Sequence, residues 1–354
     1  MALVLLFLVL FVHISSENLV DITFRNVTFN GYFVFTPRFK PTILLGNNLK
    51  DFIPNTNFDN IEFIDQKIPI FYKDAIADID RLTELYVENC NVEEIRPGTF
   101  RNVSNLSKLS FRYNKLRLIE NGVFNHLNLT TLDLSFNQIS VIYPDAFNHM
   151  HELFHINLAY NLIPTWNPKW FKDTPNLYML YFKANLIEEL PAHSFKNLKR
   201  SKLSVLELIF SNNNISKIDP QAFSEVRQIN LLSLSNNKLE SFDKDLLKNV
   251  VVWDLRLNNN SISCFDGDLD KLFKAPYNYI EYNPFTCPCL HRLKHWSNKR
   301  GKELGIADSK CTGGDDEEEE DKVIEMEEVF EVEKDVYAIQ KITLVLPKNS
   351  KLRN

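Results

Sequence analysis

One pattern of eleven residues, Leu-x-x-Leu-x-Leu-x-x-Asn-x-Leu, recurs along this chain and is plainest at Leu129-Thr130-Thr131-Leu132-Asp133-Leu134-Ser135-Phe136-Asn137-Gln138-Ile139. Its ninth position falls at Cys90, Asn114, Asn137, Asn161, Asn185, Asn213, Asn237 and Asn260, with separations of 24, 23, 24, 24, 28, 24 and 23 residues. Periods of this length mark repeat architectures. Within a copy, Leu132 and Leu134 flank Asp133, the alternation of a half-buried strand. A strand this short cannot bury its leucines alone, so neighbouring copies must stack them into one core and cooperativity runs between adjacent repeats.

The asparagine belongs where the chain leaves the strand in a tight bend. Backbone groups enclosed there lack partners, and an amide side chain supplies both a donor and an acceptor. Ten residues after each ladder position come Phe100, Phe124, Phe147, Phe171, Phe195 and Phe223, with Leu247 in the last place. This spacing makes periodic use of phenylalanine, which is abundant at 27 residues against only 9 glycines. It predicts a spine that packs the return segments on the strand layer, a core feature and not a ligand box.

The repeat resembles that of the extracellular leucine-rich-repeat family, strongly from Leu82 to Ile262 and weakly on both sides. The resemblance implies an α/β repeat fold: a leucine-rich-repeat solenoid or horseshoe with a parallel concave β-sheet and irregular or short helical convex segments. It also implies that Cys90, in a ladder position, is an unpaired structural thiol. Upstream, Phe58, Ile61, Phe63, Gln66 and Ile68 fit one further copy, and Asn47 marks a candidate for another. Before that, Ile22-Thr23-Phe24-Arg25 alternates and Asn30-Gly31 is a hairpin signal, which predicts a strand-built N-terminal cap. The disulfide-bonded N-terminal cap common in the family is missing.

After the last repeat, Asn283-Pro284-Phe285-Thr286-Cys287-Pro288-Cys289-Leu290, then Leu293, Trp296 and Cys311, resembles the family's cysteine-rich C-terminal cap. The family usually supplies two cysteines downstream, whereas here Cys311 stands alone and Cys264 becomes the fourth member. Joining Cys287 to Cys289 would strain a one-residue gap, which leaves Cys264 with one of them and Cys311 with the other, in either order. A zinc site using these thiols with His291 and His295 would need a reducing compartment. The two histidines are expected on one surface of a short cap helix.

Met1 to Val12 is apolar and uncharged and reads as a signal peptide cleaved near Ser16, short for a membrane span. The late apolar run from Ile339 to Leu346 is shorter still, and the charged end Ser350 to Asn354 argues against a lipid anchor. The resulting division is a signal peptide over 1–16, a strand-rich cap with a degenerate repeat over 17–57, and repeats over 58–262. A cysteine-rich cap over 263–314 and an acidic tail with a short apolar segment over 315–354 complete it. Net charge is −6, of which Asp315 to Asp321 contributes −7, leaving −6 − (−7) = +1 for the rest. A near-neutral body with an acidic tail carries no nucleic-acid footprint. Within the tail, Val329, Val332, Val336, Ile339, Thr343 and Leu346 give under three heptads of a coiled coil, and a flexible acidic spacer before a strand-like segment fits equally. Six Asn-x-Ser/Thr acceptors, at Asn26, Asn102, Asn105, Asn128, Asn214 and Asn259, agree with export and glycosylation.

Projecting the strand register places Glu62, Glu84, Tyr86, Glu88, Lys108, Arg112, Tyr113, Asp133, Phe136, His155, Asn157, Tyr160, Met179, Tyr181 and Lys183 on the concave side. Tyr113, Phe136 and Tyr160 share one position in successive repeats and should stack at a strand spacing of about 4.8 Å. Tyr86 and Tyr181 fall in a second column. Exposed aromatic stripes favour interfaces, so Tyr86, Tyr113, Phe136, His155, Tyr160 and Tyr181 are the candidate partner-binding residues. Glu62, Asp65, Glu84 and Glu88 beside them could steer a basic ligand. The insertion Lys196 to Lys202 reads as a solvated basic loop.

There is no nucleophile elbow, phosphate-binding loop or metal-ligand spacing, so neither catalysis nor a cofactor is expected. The reading is a secreted recognition protein that holds a protein ligand on its concave face, in innate immunity or cell adhesion, resembling secreted invertebrate proteins of this family. The alternatives are a non-catalytic regulatory subunit or inhibitor of an extracellular enzyme, and an adhesion protein held at the surface by another chain.

Overall fold

The computed structural model describes residues 22–32, 43–53, 58–198, 206–306 and 309–312. Its centre is an eleven-stranded sheet, with one short strand from each successive repeat. The first strand, Asn30–Tyr32, runs antiparallel to Asn60–Ile64. From there the pairing is parallel, through Glu84–Glu88, Lys108–Ser110, Thr131–Asp133, His155–Asn157 and Met179–Tyr181. It continues through Glu207–Ile209, Gln228–Ser233, Val251–Arg256 and Tyr277–Tyr279. The fold is the leucine-rich-repeat solenoid that the pattern predicts.

The register explains the leucines. Leu85, Leu109, Leu132, Ile156, Leu180, Leu208, Leu232 and Leu255 are mutual partners along the sheet, and all are buried. Burying one such side chain is worth about 1.5–3 kcal/mol. That gain requires both neighbours, so it is a property of the stack.

The asparagine ladder takes the predicted form. Asn137 Oδ1 accepts from the Leu116 amide at 3.0 Å, while its Nδ2 donates to the carbonyls of Phe111 and Leu134. Asn114, Asn161, Asn185, Asn213, Asn237 and Asn260 do the same one repeat along. Asn283 is a further rung that the sequence assigned to the cap: its Oδ1 accepts from Ile262 and its Nδ2 donates to Leu257. Cys90 is free and buried, and its thiol donates to the carbonyls of Phe63 and Glu88. Burial pushes that thiol up to about 12, which leaves it protonated and structural.

The phenylalanine spine is buried from Phe124 to Phe223, with Phe100 only partly so; Phe147 stacks on Phe171 at 5.6 Å and Phe195 on Phe223 at 5.1 Å. Between these pairs Trp166 packs on Phe171, Phe182, Phe195 and Phe210, and its indole donates to the Ser194 carbonyl. This cluster spans the repeat that carries the insertion and the one before it. The return side consists of two-residue strands and short 3-10 turns such as Pro168–Phe171 and Lys196–Leu198. Most of the basic insertion lies outside the described residues.

The N-terminal region departs from expectation in two places. Phe24–Val27 pairs with Leu44–Gly46 in a separate antiparallel sheet, so Asn30-Gly31 closes no hairpin. Gly31 lies inside a strand, where an added Cβ would stand 2.6 Å from the Phe58 ring, and close approach is what requires glycine. Asn47 is no ladder rung, since it follows that separate sheet and donates to the Lys73 carbonyl. The further copy upstream is present: Asn60–Ile64 joins the main sheet, and Gln66 donates to Ile64 while accepting from the Thr28 amide.

At the other end, the helix Cys287–Arg300 starts with Pro288 in its first turn and stops at Gly301, whose φ of 60° needs no Cβ. Leu290 and Leu293 face inward. The bonds Cys264–Cys289 and Cys287–Cys311 resolve the open pairing. The signal-peptide and acidic-tail expectations fall outside the described residues. Among the described residues, no helix is long and apolar enough to cross a membrane.

Candidate functional site

Each strand ends in the same turn, and the residue just before the ladder position takes left-handed φ. Asp65, Asn89, Tyr113, Phe136, Tyr160, Ala184, Asn212, Asn236, Asn259 and Tyr282 all lie between 52° and 58°. The amides of the first nine donate across to the next repeat, as Phe136 does to the Ala159 carbonyl and Asn236 to Asn258. This conformation costs an L-residue about 1–2 kcal/mol, least for Asn and Asp, whose short polar side chains can bond locally. Half of the positions follow that preference. Tyr113, Phe136, Tyr160 and Ala184, four in succession, do not, nor does Tyr282, and the first three of that run are aromatic.

These three rings form the expected column. Phe136 lies 4.5 Å from Tyr113 and stacks on Tyr160 at 4.2 Å, 10° from parallel. Arg112 lies over both Tyr113 and Phe136, at 4.6 and 5.2 Å, and Lys183 is 5.7 Å from the Tyr160 ring. Arg112 also donates to the Tyr113 hydroxyl at 3.1 Å. The column therefore runs along the line where chains leave the sheet, past the last paired strand residue. Tyr113 remains 44% exposed.

The other candidates fall apart from this group. Tyr86 and Tyr181 share a register position but are separated by Ser110, Asp133 and Asn157, so they cannot touch. Each is tied to a carboxylate instead, Tyr86 to Glu84 at 2.9 Å and Tyr181 to Glu207 at 2.8 Å. Burial together with that carboxylate raises each phenol well above the ordinary tyrosine range. His155 meets Tyr181 edge-on at 4.8 Å. Burial holds its imidazole below the ordinary histidine value, and its Nε2 is enclosed without a protein partner. Beside it, Phe154 stacks on Tyr178 at 5.5 Å, a pair the sequence missed because both occupy the variable position after the first leucine.

The acidic patch is partly spent within the fold. Glu84 pairs with Lys108 at 2.8 Å, and Glu88 accepts from Ser110. Burial raises the Glu88 carboxyl above its ordinary value.

The sequon asparagines have structural duties. Asn26, Asn102 and Asn259 take left-handed φ, Asn26 at a register irregularity within the strand Phe24–Val27. Asn105 and Asn128 donate to the Asp80 and Ser104 carbonyls one repeat back, as Asn176, outside any sequon, does to His151. Asn214 directly follows a ladder rung and is half-buried.

The sequence matches the family described as leucine rich repeat over residues 80–139, 128–187 and 175–239. Relatives include P-granule-associated novel protein 1 of Caenorhabditis elegans, 31% identical over 40% of this chain and 24% of that protein. The CD180 antigen of Mus musculus is 26% identical over 67% of this chain and 37% of that protein. The solved mouse RP105/MD-1 complex is similar in fold, with a TM-score of 0.61 and 23% identity over 72% of this chain and 43% of that one. The chain thus spans between 24% and 37% of the length of these two curated relatives.

Proposed function

We propose, from the premise that this chain is a leucine-rich-repeat protein with a cysteine-rich C-terminal cap, that it works outside the cell by holding a protein partner, without catalysis. The observation that carries the reading is the run of three stacked aromatics in a turn that elsewhere favours asparagine. Side chains that cost backbone energy and are partly exposed to water need a compensating use, and an interface supplies one. Arg112 and Lys183 give the column a positive border, so the partner presents apolar groups with acceptors or acids at their edge. Two disulfides fit an oxidising compartment and support secretion. The similar mouse fold was solved in complex with MD-1.

Replacing Tyr113, Phe136 and Tyr160 together by Asn tests the proposal, because Asn suits the turn and spares the fold. Affinity purification from secreted fluid with the parent chain should recover a partner that the triple variant loses at unchanged melting temperature. Recovery of an immune or adhesion protein supports the recognition role. A stoichiometric extracellular enzyme would instead identify a regulatory subunit or inhibitor. Equal recovery by the variant moves the site away from the column.

A further inference from the structure

The last two strands of the sheet expose apolar side chains that the column does not use. Val251, Trp253, Tyr277, Tyr279 and Tyr282 are all exposed, Trp253 by 55% and Tyr282 by 70%. They share the end of the sheet: Trp253 and Tyr277 have ring centroids 6.3 Å apart, and Arg256 lies over Tyr279 at 5.5 Å. Aromatic side chains carry about 150–250 Å² each, so the group presents roughly 500 Å² of apolar surface. That lies at the upper end of what monomers leave in water and is more than half of the roughly 800 Å² that each side of a stable interface contributes.

We infer that this C-terminal end of the sheet is where two copies of the chain join about a two-fold axis. The charges within it select that occupant. Asp254 and Arg256 pair at 2.9 Å, so the patch is locally balanced and offers little to attract a strongly charged ligand. In an isologous contact, residue i meets j and j meets i. Asp254 of one copy then faces Arg256 of the other, and the rings close over both pairs. The N-terminal repeats could not do this, because Glu62, Asp65 and Glu88 would meet their own copies. The inference shares no residue with the aromatic column and stands apart from the proposed partner site.

Sedimentation velocity of the full chain at about 20 µM, above the micromolar limit for standard interfaces, should show twice the monomer mass. Trp253→Ser with Tyr279→Ser should lower association at least tenfold at unchanged melting temperature. Asp254→Arg and Arg256→Asp should each sediment as monomer, while their equimolar mixture regains the dimer, since only across a two-fold do their charges complement. A monomeric parent chain, a dimer that survives the Trp253 and Tyr279 changes, or a mixture that stays monomeric would each overturn the inference.

Discussion

Residues 107–161 and 207–260 follow one backbone recipe and present different surfaces. Both carry ladder asparagines with the same four kinds of bond, Asn137 in the first and Asn237 in the second. Both place the preceding residue in left-handed φ, 54° at Phe136 and 53° at Asn236. The first fills that place with Tyr, Phe and Tyr, the second with Asn, Asn and Asn. Since the turn itself favours asparagine, the second stretch is what folding alone would choose. The first departs from it toward water, where a partner can read the departure.

The largest effect that bears on this comparison is in the spine common to both stretches. Phe147→Ala should cost about 3–5 kcal/mol in urea unfolding, while Leu247→Ala, at the same position but 9% exposed and outside the ring stacks, should fall near the 2 kcal/mol end of its range. Equal losses would show that ring stacking does not set the first stretch apart. Next, Asn137→Ala and Asn237→Ala should each cost about 2–3 kcal/mol, because each orphans one buried amide and several buried carbonyls. A clear inequality between the two would break the claim of a shared backbone recipe.

The exchange at the neighbouring position sharpens the contrast. Asn236→Phe should cost about 1–2 kcal/mol, the penalty of a bulky residue in left-handed φ. Phe136→Asn should change stability by less than about 1 kcal/mol, relief of the turn offsetting the lost stack, while weakening partner capture. If Phe136→Asn proved as costly as Phe147→Ala, the column would be a packing element and not an interface.

The smallest effect is one of pH. The folded pKa of His155 lies below its ordinary 6.5, so the unfolded chain binds the proton more readily. Its contribution to stability is complete above 6.5 and is lost as pH falls from there toward the lowered folded value. The urea midpoint should therefore drop between about pH 7.5 and about pH 5.5, and His155→Gln should make that drop smaller. An identical drop in the variant would assign the proton uptake to another group.

Much of the fold was legible because the repeat is local. Leu-x-x-Leu-x-Leu names the inward residues, and the asparagine names the bend. Asn283 was missed because it sits beside the cap cysteines and its copy, Tyr277-Asn278-Tyr279-Ile280, lacks the leucines that mark the others. The hairpin at Asn30-Gly31 was misplaced because glycine there serves a close approach by Phe58, a contact between segments far apart in sequence. In the candidate surface, the column of Tyr113, Phe136 and Tyr160 followed from equal spacing. The separation of Tyr86 from Tyr181, and the pairing of each with a carboxylate, did not.

The sequence by itself determined the repeat, the inward leucines, the ladder and the spine, since each is written at fixed offsets and repeated until chance is excluded. It also narrowed the cap to two disulfide pairings. Only the tertiary structure joined Cys264 to Cys289 and Cys287 to Cys311, because that choice depends on how the cap helix lies against the last repeat. Only the structure revealed that the aromatic column occupies a left-handed turn, since φ is set by hydrogen bonds to the next repeat and not by the residue alone. The exposed rings on Val251–Arg256 and Tyr277–Tyr279 likewise depend on those strands being the last of the sheet among the described residues.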